Sequence, residues 1–355
     1  MRICYVLAYR APEYIRTRTL LSALELQANV ECYPAINTRT GAGRYQETLS
    51  KVVEIRKAYH PDLYILGFRG HELYWPLRSI VGRKPIIFDC MMSPSLALDE
   101  EGQYGQVVSL ASNLILSPIE KRILQNADFV LTDTSAHVDA LKQRYRLDSD
   151  RIAAIPVGAI EQAPCAKDPG TQARLNVLFY GSFLPLHGLD VILKAASTVA
   201  HLPLEFHFIG AREATEQKIH RALGSAENST YHVRTWAQFE EIIGSILPAT
   251  DICLGGPFGN TPQARRVITG KTSQALAQAV PTIVGAGEVG AGFVDRENCL
   301  LVPQGQPEAL AKALRWAHEH RDSLPALGAS GQRLYRQHLS LSAIGRKLSE
   351  VLNKF

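Results

Sequence analysis

The sequence lacks the features of several protein classes. No apolar run approaches the roughly 18–20 residues that a membrane span requires, so a membrane-spanning protein is not expected. The six cysteines are scattered without a C-x-x-C pair, which argues against a metal site or a disulfide framework and favours reduced thiols in a cytoplasmic protein. No basic stretch is interleaved with aromatic residues, so nucleic acid is not an expected partner.

The composition is that of an ordinary globular protein. The chain has 355 residues, 46% hydrophobic and 20% charged, which suits two domains. The net charge is +4, and residues 1–90 carry 13 Lys and Arg against 8 Asp and Glu. This early positive excess favours a phosphorylated substrate or an anionic membrane surface, although a solvated face without a partner explains it equally well.

The first half of the chain alternates apolar runs with amphipathic segments. This pattern predicts a parallel sheet covered by helices on both faces. Ser93–Gln106 is expected to form a loop or lid, and Ser135 is expected to cap a helix. The predicted strands are Ile3–Ala8, Val30–Pro34, Asp62–Gly67, Pro85–Asp89, Phe129–Thr132 and Ile152–Pro156.

A change in composition separates the two halves. Residues 161–174 carry two prolines and mixed charge without apolar periodicity, which is typical of an interdomain linker. The sequence therefore predicts two α/β domains, 1–165 and 170–339, each a doubly wound parallel sheet, with a ligand in the cleft between them. The later predicted strands are Val177–Tyr180, Leu204–Ile209, Tyr231–Val233, Asp251–Leu254, Thr282–Val284 and Leu300–Val302.

The stretch Asn176–Gly210 organises the second half. It consists of an apolar run, a loop with Gly181, a helix that begins near Gly188, and a second apolar run that Gly210 closes. The start of a helix after a glycine loop offers free N–H groups and a positive dipole end, which suit a phosphate. The alternative is a βαβ unit that binds nothing at this loop.

Three groups of segments occur in a recognisable order. They are Ala127–Ser135 with Ile155–Gly158; Tyr180–Gly188; and Thr250–Leu254 with Gly270–Ile283 and Asn298–Pro303. With these segments the chain resembles the retaining glycosyltransferases of family 4, which have the GT-B fold, over residues 127–320. The resemblance implies a nucleotide-sugar donor held by the C-terminal domain, no cofactor, and a last helix, 340–355, that packs back on the N-terminal domain. A plain amphipathic helix on the second domain is the alternative.

The resemblance implies a donor site, but several positions depart from the family pattern. The two cations expected in the first glycine loop are replaced by Ser182 and His187, and a glutamate is replaced by Gln274. Gln274 is still expected to accept a hydrogen bond from a ribose hydroxyl. We expect a trio of cations to neutralise the diphosphate instead. The implied donor-binding residues are Gly181, Ser182, His187, Gly210, Trp236, Arg265, Gln274 and Glu288, and the trio is Arg265, Arg266 and Lys271.

The acceptor side is expected in the N-terminal domain. His71 follows one predicted strand and Asp89 ends another, and with Arg266 and Lys271 they are the candidate catalytic residues. Asp89 has an alternative role as a helix cap or as the partner of an arginine. A glycan, a lipid-linked molecule or a small molecule is the expected acceptor, with peripheral contact at the inner membrane face.

The reaction itself is expected to be independent of metal ions. Two other readings stay open at this point. One is a nucleotide-sugar epimerase or hydrolase of the same shape. The other is a non-catalytic paralogue that binds a nucleotide or a protein partner.

Overall fold

The structure, a computed structural model, describes residues 1–100, 112–161, 174–224, 228–287 and 290–355. The chain divides into two compact units. Unit 1 comprises Met1–Gly158 and Leu341–Phe355, and unit 2 comprises Ala159–Ser340. Most of the predicted linker, residues 162–173, lies outside the described residues. None of the helices in the described ranges has both the length and the apolar character that a bilayer span requires.

Unit 1 is built on a sheet of six parallel strands. These are β1 (Arg2–Leu7), β2 (Glu31–Ile36), β3 (Leu63–Leu66), β4 (Ile86–Asp89), β5 (Phe129–Thr132) and β6 (Ile152–Ala154). Their order across the sheet is β2-β1-β3-β4-β5-β6. The order reverses between β1 and β3, so the carboxyl ends of these two strands flank a topological switch point.

Helices cover both faces of this sheet because successive side chains of each strand point to opposite sides. Cys4 and Val6 enter one core, and Ile3 and Tyr5 enter the other. The first core includes the helices Tyr74–Val81, Ser117–Asn126 and Ser135–Tyr145, and the second includes the helices Ile15–Glu25 and Leu341–Leu352. The helices are α1 (Ile15–Glu25), α2 (Gly43–Tyr59), α3 (Tyr74–Val81), α4 (Pro94–Glu100), α5 (Ser117–Asn126) and α6 (Ser135–Tyr145).

Two local predictions in unit 1 are wrong. The expected loop or lid at Ser93–Gln106 contains helix α4, and its residues 101–106 lie outside the described part of the chain. The N-cap of α6 is Thr134 rather than Ser135, since the Thr134 side chain accepts the backbone N–H of His137 at 3.2 Å. Thr134 has extended backbone angles, as an N-cap requires, so the cap lies one residue before the predicted one and Ser135 is the first helical residue.

Unit 2 is built on a second sheet of six parallel strands. These are β7 (Leu175–Tyr180), β8 (Leu204–Ile209), β9 (Thr230–Arg234), β10 (Ile252–Gly256), β11 (Thr282–Ala286) and β12 (Leu300–Pro303). The order β12-β11-β10-β7-β8-β9 reverses between β7 and β10. Ligands of such sheets bind beyond the carboxyl ends of the strands at this reversal.

The helices of unit 2 also cover both faces. On one face, Val177 and Phe206 of the sheet share a core with Leu193 and Leu314. On the other face, Leu178 packs with Leu247, which precedes β10, and with Ala275 of the helix Gly270–Ala277. The helices are α7 (Leu189–Thr198), α8 (Glu213–Leu223), α9 (Phe239–Glu241), α10 (Pro262–Arg266), α11 (Gly270–Ala277), α12 (Pro307–Glu319), α13 (Leu324–His338) and, in unit 1, α14 (Leu341–Leu352).

Candidate functional site

The carboxyl edge of the unit 2 sheet concentrates unusual backbone conformations. Gly181, directly after β7, has φ of +140°, and Gly210, directly after β8, has φ of +97°. A Cβ at Gly210 would lie 2.4 Å from the Gly181 carbonyl oxygen. Only glycine therefore allows the two chain turns to cross this closely at the ends of β7 and β8.

A second close crossing joins this loop to the segment after β10. Gly188, with φ of +69°, would place a Cβ 2.5 Å from the backbone of Phe258 and Gly259. The Gly259 N–H donates to the Leu186 carbonyl at 3.0 Å. The loop after β7 is therefore held against the segment that follows β10, the two strands that flank the switch point.

Lys271 supplies a buried positive charge at this edge. It occupies the first turn of α11, whose N-cap Thr269 accepts the Thr272 N–H at 3.3 Å. Its side chain is buried, its Nζ lies 5.0 Å from the Phe179 ring centre, and the same Nζ would lie 3.3 Å from a Cβ at Gly181. Burial lowers the pKa of Lys271 to about 8, so the group is mostly protonated at neutral pH.

His187 lies beside this lysine as a neutral group. Burial, with a smaller contribution from the nearby Lys271 charge, lowers the pKa of His187 to about 2. Its Nδ1 accepts the Leu184 backbone N–H at 3.2 Å, so the ring proton is on Nε2. His187 can therefore donate one hydrogen bond, but it does not replace a cation.

Arg265 and Arg266, the arginines predicted to bind the diphosphate, are on the short helix α10, and Thr261 is the N-cap of this helix. The Arg265 guanidinium is exposed and donates to Asn260 Oδ1 at 3.0 Å, and Arg266 is half-buried. A Cβ at Gly287, after β11, would lie 2.6 Å from the Arg265 carbonyl oxygen. Helix α10 therefore packs against the loop that leads to Glu288, which itself lies outside the described residues.

The remaining predicted donor residues have other surroundings. Gln274 is buried, its amide oxygen accepts the Ile160 N–H at 3.0 Å, and its amide nitrogen donates to the Ile160 carbonyl at 2.9 Å. This pairing fixes the chain after β6, and the role of Gln274 at a ribose stays a prediction. Trp236 is 62% exposed, and Ser182 is exposed in the loop after β7.

A family model matches the part of the chain that contains these loops. Residues 174–320 match the model of a family described as glycosyl transferases group 1. The matched residues lie within unit 2 and include both crossings, Lys271 and α10. No curated protein sequence matches the chain significantly.

Solved structures are similar over the whole chain. The sucrose-phosphate synthase of Thermosynechococcus elongatus has 17% identity and a TM-score of 0.72, covering 100% of this chain and 98% of its own. Anabaena Alr3699/HepE, in complex with UDP, has 13% identity and a TM-score of 0.68, covering 100% of both chains. A glycosyltransferase from Rickettsia africae has 12% identity and a TM-score of 0.66, covering 99% and 98%.

These likenesses establish the fold. The protein has the GT-B fold, with one Rossmann-like parallel sheet in each unit, and the prediction of two doubly wound α/β domains is confirmed.

In unit 1, Asp89 is paired with a buried arginine. Its carboxylate forms two hydrogen bonds of 2.9 Å with Arg16, and neither side chain is exposed. Arg16 also donates to backbone carbonyls at the end of β5 and after β6, among them Thr132 at 3.3 Å and Pro156 at 3.2 Å. The alternative noted for Asp89, pairing with an arginine, is the arrangement that the structure shows.

His71 belongs to a buried polar cluster that sequence reasoning missed. Its Nε2 lies 3.3 Å from Glu120 Oε1, and the Cys90 Sγ lies 3.7 Å from the same oxygen. The other oxygen, Oε2, accepts from Ser93 at 2.9 Å, from Tyr145 at 2.8 Å and from Ser95. A sequence signal existed: Glu120 has helical spacing with the buried Ile123, Leu124 and Ala127.

Proposed function

We propose that the protein is a glycosyltransferase that moves a sugar from a nucleotide-sugar donor to an acceptor hydroxyl with retention of configuration. The observation that carries the proposal is the buried Lys271 ammonium against the Gly181 turn, at the switch point of the unit 2 sheet. Among the described residues no carboxylate forms an ion pair with Lys271, and a buried lysine charge of this kind suits a diphosphate. The structure of HepE is a complex with UDP, which supports a nucleoside diphosphate as the ligand.

The chemistry requires stabilisation of the leaving group more than a strong nucleophile. As the bond between sugar and phosphate breaks, negative charge grows on the departing diphosphate. Lys271 and the N–H groups of the glycine turn would face that charge, and one such contact contributes on the order of 2–4 kcal/mol to lowering the barrier. The departing phosphate oxygen would then accept the proton of the acceptor hydroxyl.

Neighbouring groups would complete the donor site. The Nε2–H of His187 would donate a neutral hydrogen bond, and Arg265 and Arg266 would add charge from α10. The glycines at 181 and 210 would let backbone approach the phosphates without a Cβ clash. The expected acceptor is a glycan, a lipid-linked molecule or a small molecule. Among the described residues the five cysteines form no disulfide, which supports the proposed cytoplasmic location.

Calorimetry with UDP-, GDP- and ADP-sugars tests the proposal. We expect the intact protein to bind one nucleotide class. Lys271→Met is expected to weaken binding strongly and to lower turnover by about 100-fold or more. The matched control is Lys194→Met, at an exposed lysine on α7, which should change neither nucleotide binding nor turnover.

The outcomes separate the alternatives. Absence of binding to any nucleotide sugar would contradict the proposal and favour a non-catalytic paralogue. Rapid turnover of donor without any acceptor would favour a hydrolase or epimerase. Equal nucleotide-sugar binding by Lys271→Met and the wild type would contradict the placement of the donor site at Lys271.

A further inference from the structure

Three side chains of unit 1 that the proposed donor site does not use converge on one point. His71 follows β3, Cys90 follows β4, and Glu120 is on α5. Their ligand atoms, one imidazole nitrogen, one thiol sulfur and one carboxylate oxygen, all lie within 4.8 Å of one another. The residues come from three separate elements, so the sheet and not a local sequence motif brings them together.

The two shortest separations have the size of edges of a tetrahedral zinc site. The His71 Nε2 to Glu120 Oε1 distance is 3.3 Å, and the Cys90 Sγ to Glu120 Oε1 distance is 3.7 Å. Zinc bonds of about 2.0–2.2 Å to nitrogen and oxygen and about 2.3 Å to sulfur place such ligand atoms roughly 3.3–3.6 Å apart. An ion can therefore bind with small adjustments of the side chains.

The supporting contacts hold the ligands in place. Oε2 of Glu120 accepts hydrogen bonds from Ser93, Ser95 and Tyr145, which leaves Oε1 directed at the other two ligands. The His71 ring packs edge-on against Phe88 at 4.9 Å between ring centres. Outer hydrogen bonds and packing of this kind orient metal ligands and strengthen binding.

Burial and charge also favour a cation. Glu120 and Cys90 are buried, whereas the His71 side chain is 13% exposed and borders the solvent. Among the residues that the structure describes, His71 is the one basic group within ion-pair distance of the Glu120 carboxylate. A buried carboxylate surrounded by neutral donors gains from a divalent ion.

We propose that His71, Cys90 and Glu120 bind a zinc ion, with a fourth coordination position for water or a substrate oxygen. A nitrogen, sulfur and oxygen set favours zinc over magnesium or calcium, which require oxygen ligands. As the Zn–S bond forms, the Cys90 thiol releases its proton to solvent. The site is in unit 1, so it is independent of the proposed donor site.

Metal titration of the intact protein tests the proposal. After treatment with a chelator, the protein should take up one zinc ion per chain, measured by mass spectrometry of the metal. Cobalt in its place should give the visible bands of a tetrahedral ion and a thiolate-to-cobalt band. Cys90→Ser, His71→Gln and Glu120→Gln should each weaken zinc binding by more than about 100-fold, and Tyr145→Phe by roughly tenfold.

Matched controls make the result decisive. Cys299→Ser removes another buried thiol outside the cluster and should retain the full metal content and both spectral features. Circular dichroism checks that each variant is folded, and the partly exposed His71 provides a variant that is expected to fold. The proposal would be overturned if the protein failed to bind zinc. It would also be overturned if Cys90→Ser or His71→Gln were folded and gave the same cobalt spectrum as the wild type. UDP-sugar binding should be the same in all of these variants.

Discussion

At the scale of single residues, Lys271 and His187 show how burial separates two neighbouring bases into one charged and one neutral group. Desolvation opposes the charged form of both. The lysine retains its proton at neutral pH because its pKa, although lowered to about 8, stays above 7. The histidine loses its proton because burial and the lysine charge lower its pKa to about 2. One cation and one neutral donor therefore face the Gly181 turn.

The Lys271 pKa predicts the pH dependence of nucleotide binding. A bound diphosphate favours the protonated lysine, so its pKa rises in the complex. Above pH 8 the free protein must take up a proton to bind, and we expect affinity for nucleotide to fall by up to about tenfold per pH unit. Calorimetry between pH 6.5 and 9.5 measures this decrease. In Lys271→Arg, whose side chain stays charged, the decrease should be absent; an equal decrease would assign it to another group.

The Arg16–Asp89 pair predicts a large stability effect. Asp89→Asn leaves the fully buried Arg16 charge without its counter-ion, which we expect to lower the free energy of unfolding by about 3–5 kcal/mol. Asp62→Asn, which alters the exposed pair with Arg2, should cost about 1 kcal/mol or less. Urea unfolding of both variants provides the comparison. Similar small losses would show that Asp89 does not support the fold.

At the scale of elements, the strands could be predicted and the partners of polar side chains could not. Phe129–Thr132 matches the observed strand because a continuous apolar run is typical of a strand buried on both faces. Leu204–Ile209 also matches, because its apolar residues alternate with Glu205 and His207 at the spacing of a strand. The sequence also indicated the turn at Gly181, from its place between strand and helix. The pairing of Asp89 with Arg16 depends on contacts 73 positions apart. The contact of Gln274 with Ile160 could not be predicted for the same reason, since the two residues are 114 positions apart.

The expectation that the protein has no metal site was based on short motifs and on the spacing of the cysteines. A motif search finds ligands within one short segment, whereas His71, Cys90 and Glu120 come from three elements. Scattered cysteines alone could not reveal that one of them lies beside a histidine and a glutamate. Only the strand order of unit 1, with β3 and β4 adjacent, places the segments after these strands together.

The crossing of the turns after β7 and β8 predicts the effect of a single methyl group. Gly210→Ala would place its Cβ against the Gly181 carbonyl at a positive φ, so one of the turns must move. We expect a loss of about 1–3 kcal/mol in unfolding free energy and weaker nucleotide binding. Gly244→Ala, where a Cβ meets nothing within 4 Å, is the control and should not reduce either quantity. Normal nucleotide affinity in Gly210→Ala would separate this crossing from the donor site.

At the scale of the whole molecule, the two units contain different proposed sites. Unit 2 contains the proposed donor site, and unit 1 contains the proposed zinc ligands. Unit 1 also depends on α14, since Ile344, Leu348, Val351 and Leu352 are buried in the same core as Leu20 and Leu24 of α1. Gln27 joins the same two helices through a hydrogen bond of 3.1 Å to the Gly345 carbonyl.

This arrangement predicts an effect confined to one unit. Leu348→Ala removes a side chain that is fully buried and should destabilise unit 1 by about 2–5 kcal/mol. Hydrogen exchange should accelerate in β1 and β3 but not in β7 and β8. Leu26→Ala, at a leucine that is 61% exposed in the same unit, is the control. Equal acceleration in both sheets would show that the units unfold together.

The return of α14 to unit 1 has a consequence for synthesis on the ribosome. The strands of unit 1 are translated first, but one side of its sheet stays without α14 until residues 159–340 have been added. Unit 2, by contrast, has all of its residues, Ala159–Ser340, in one continuous segment. The first unit to emerge is therefore the last to be completed, and its exposed apolar face is the part of the nascent chain that most needs protection by a chaperone.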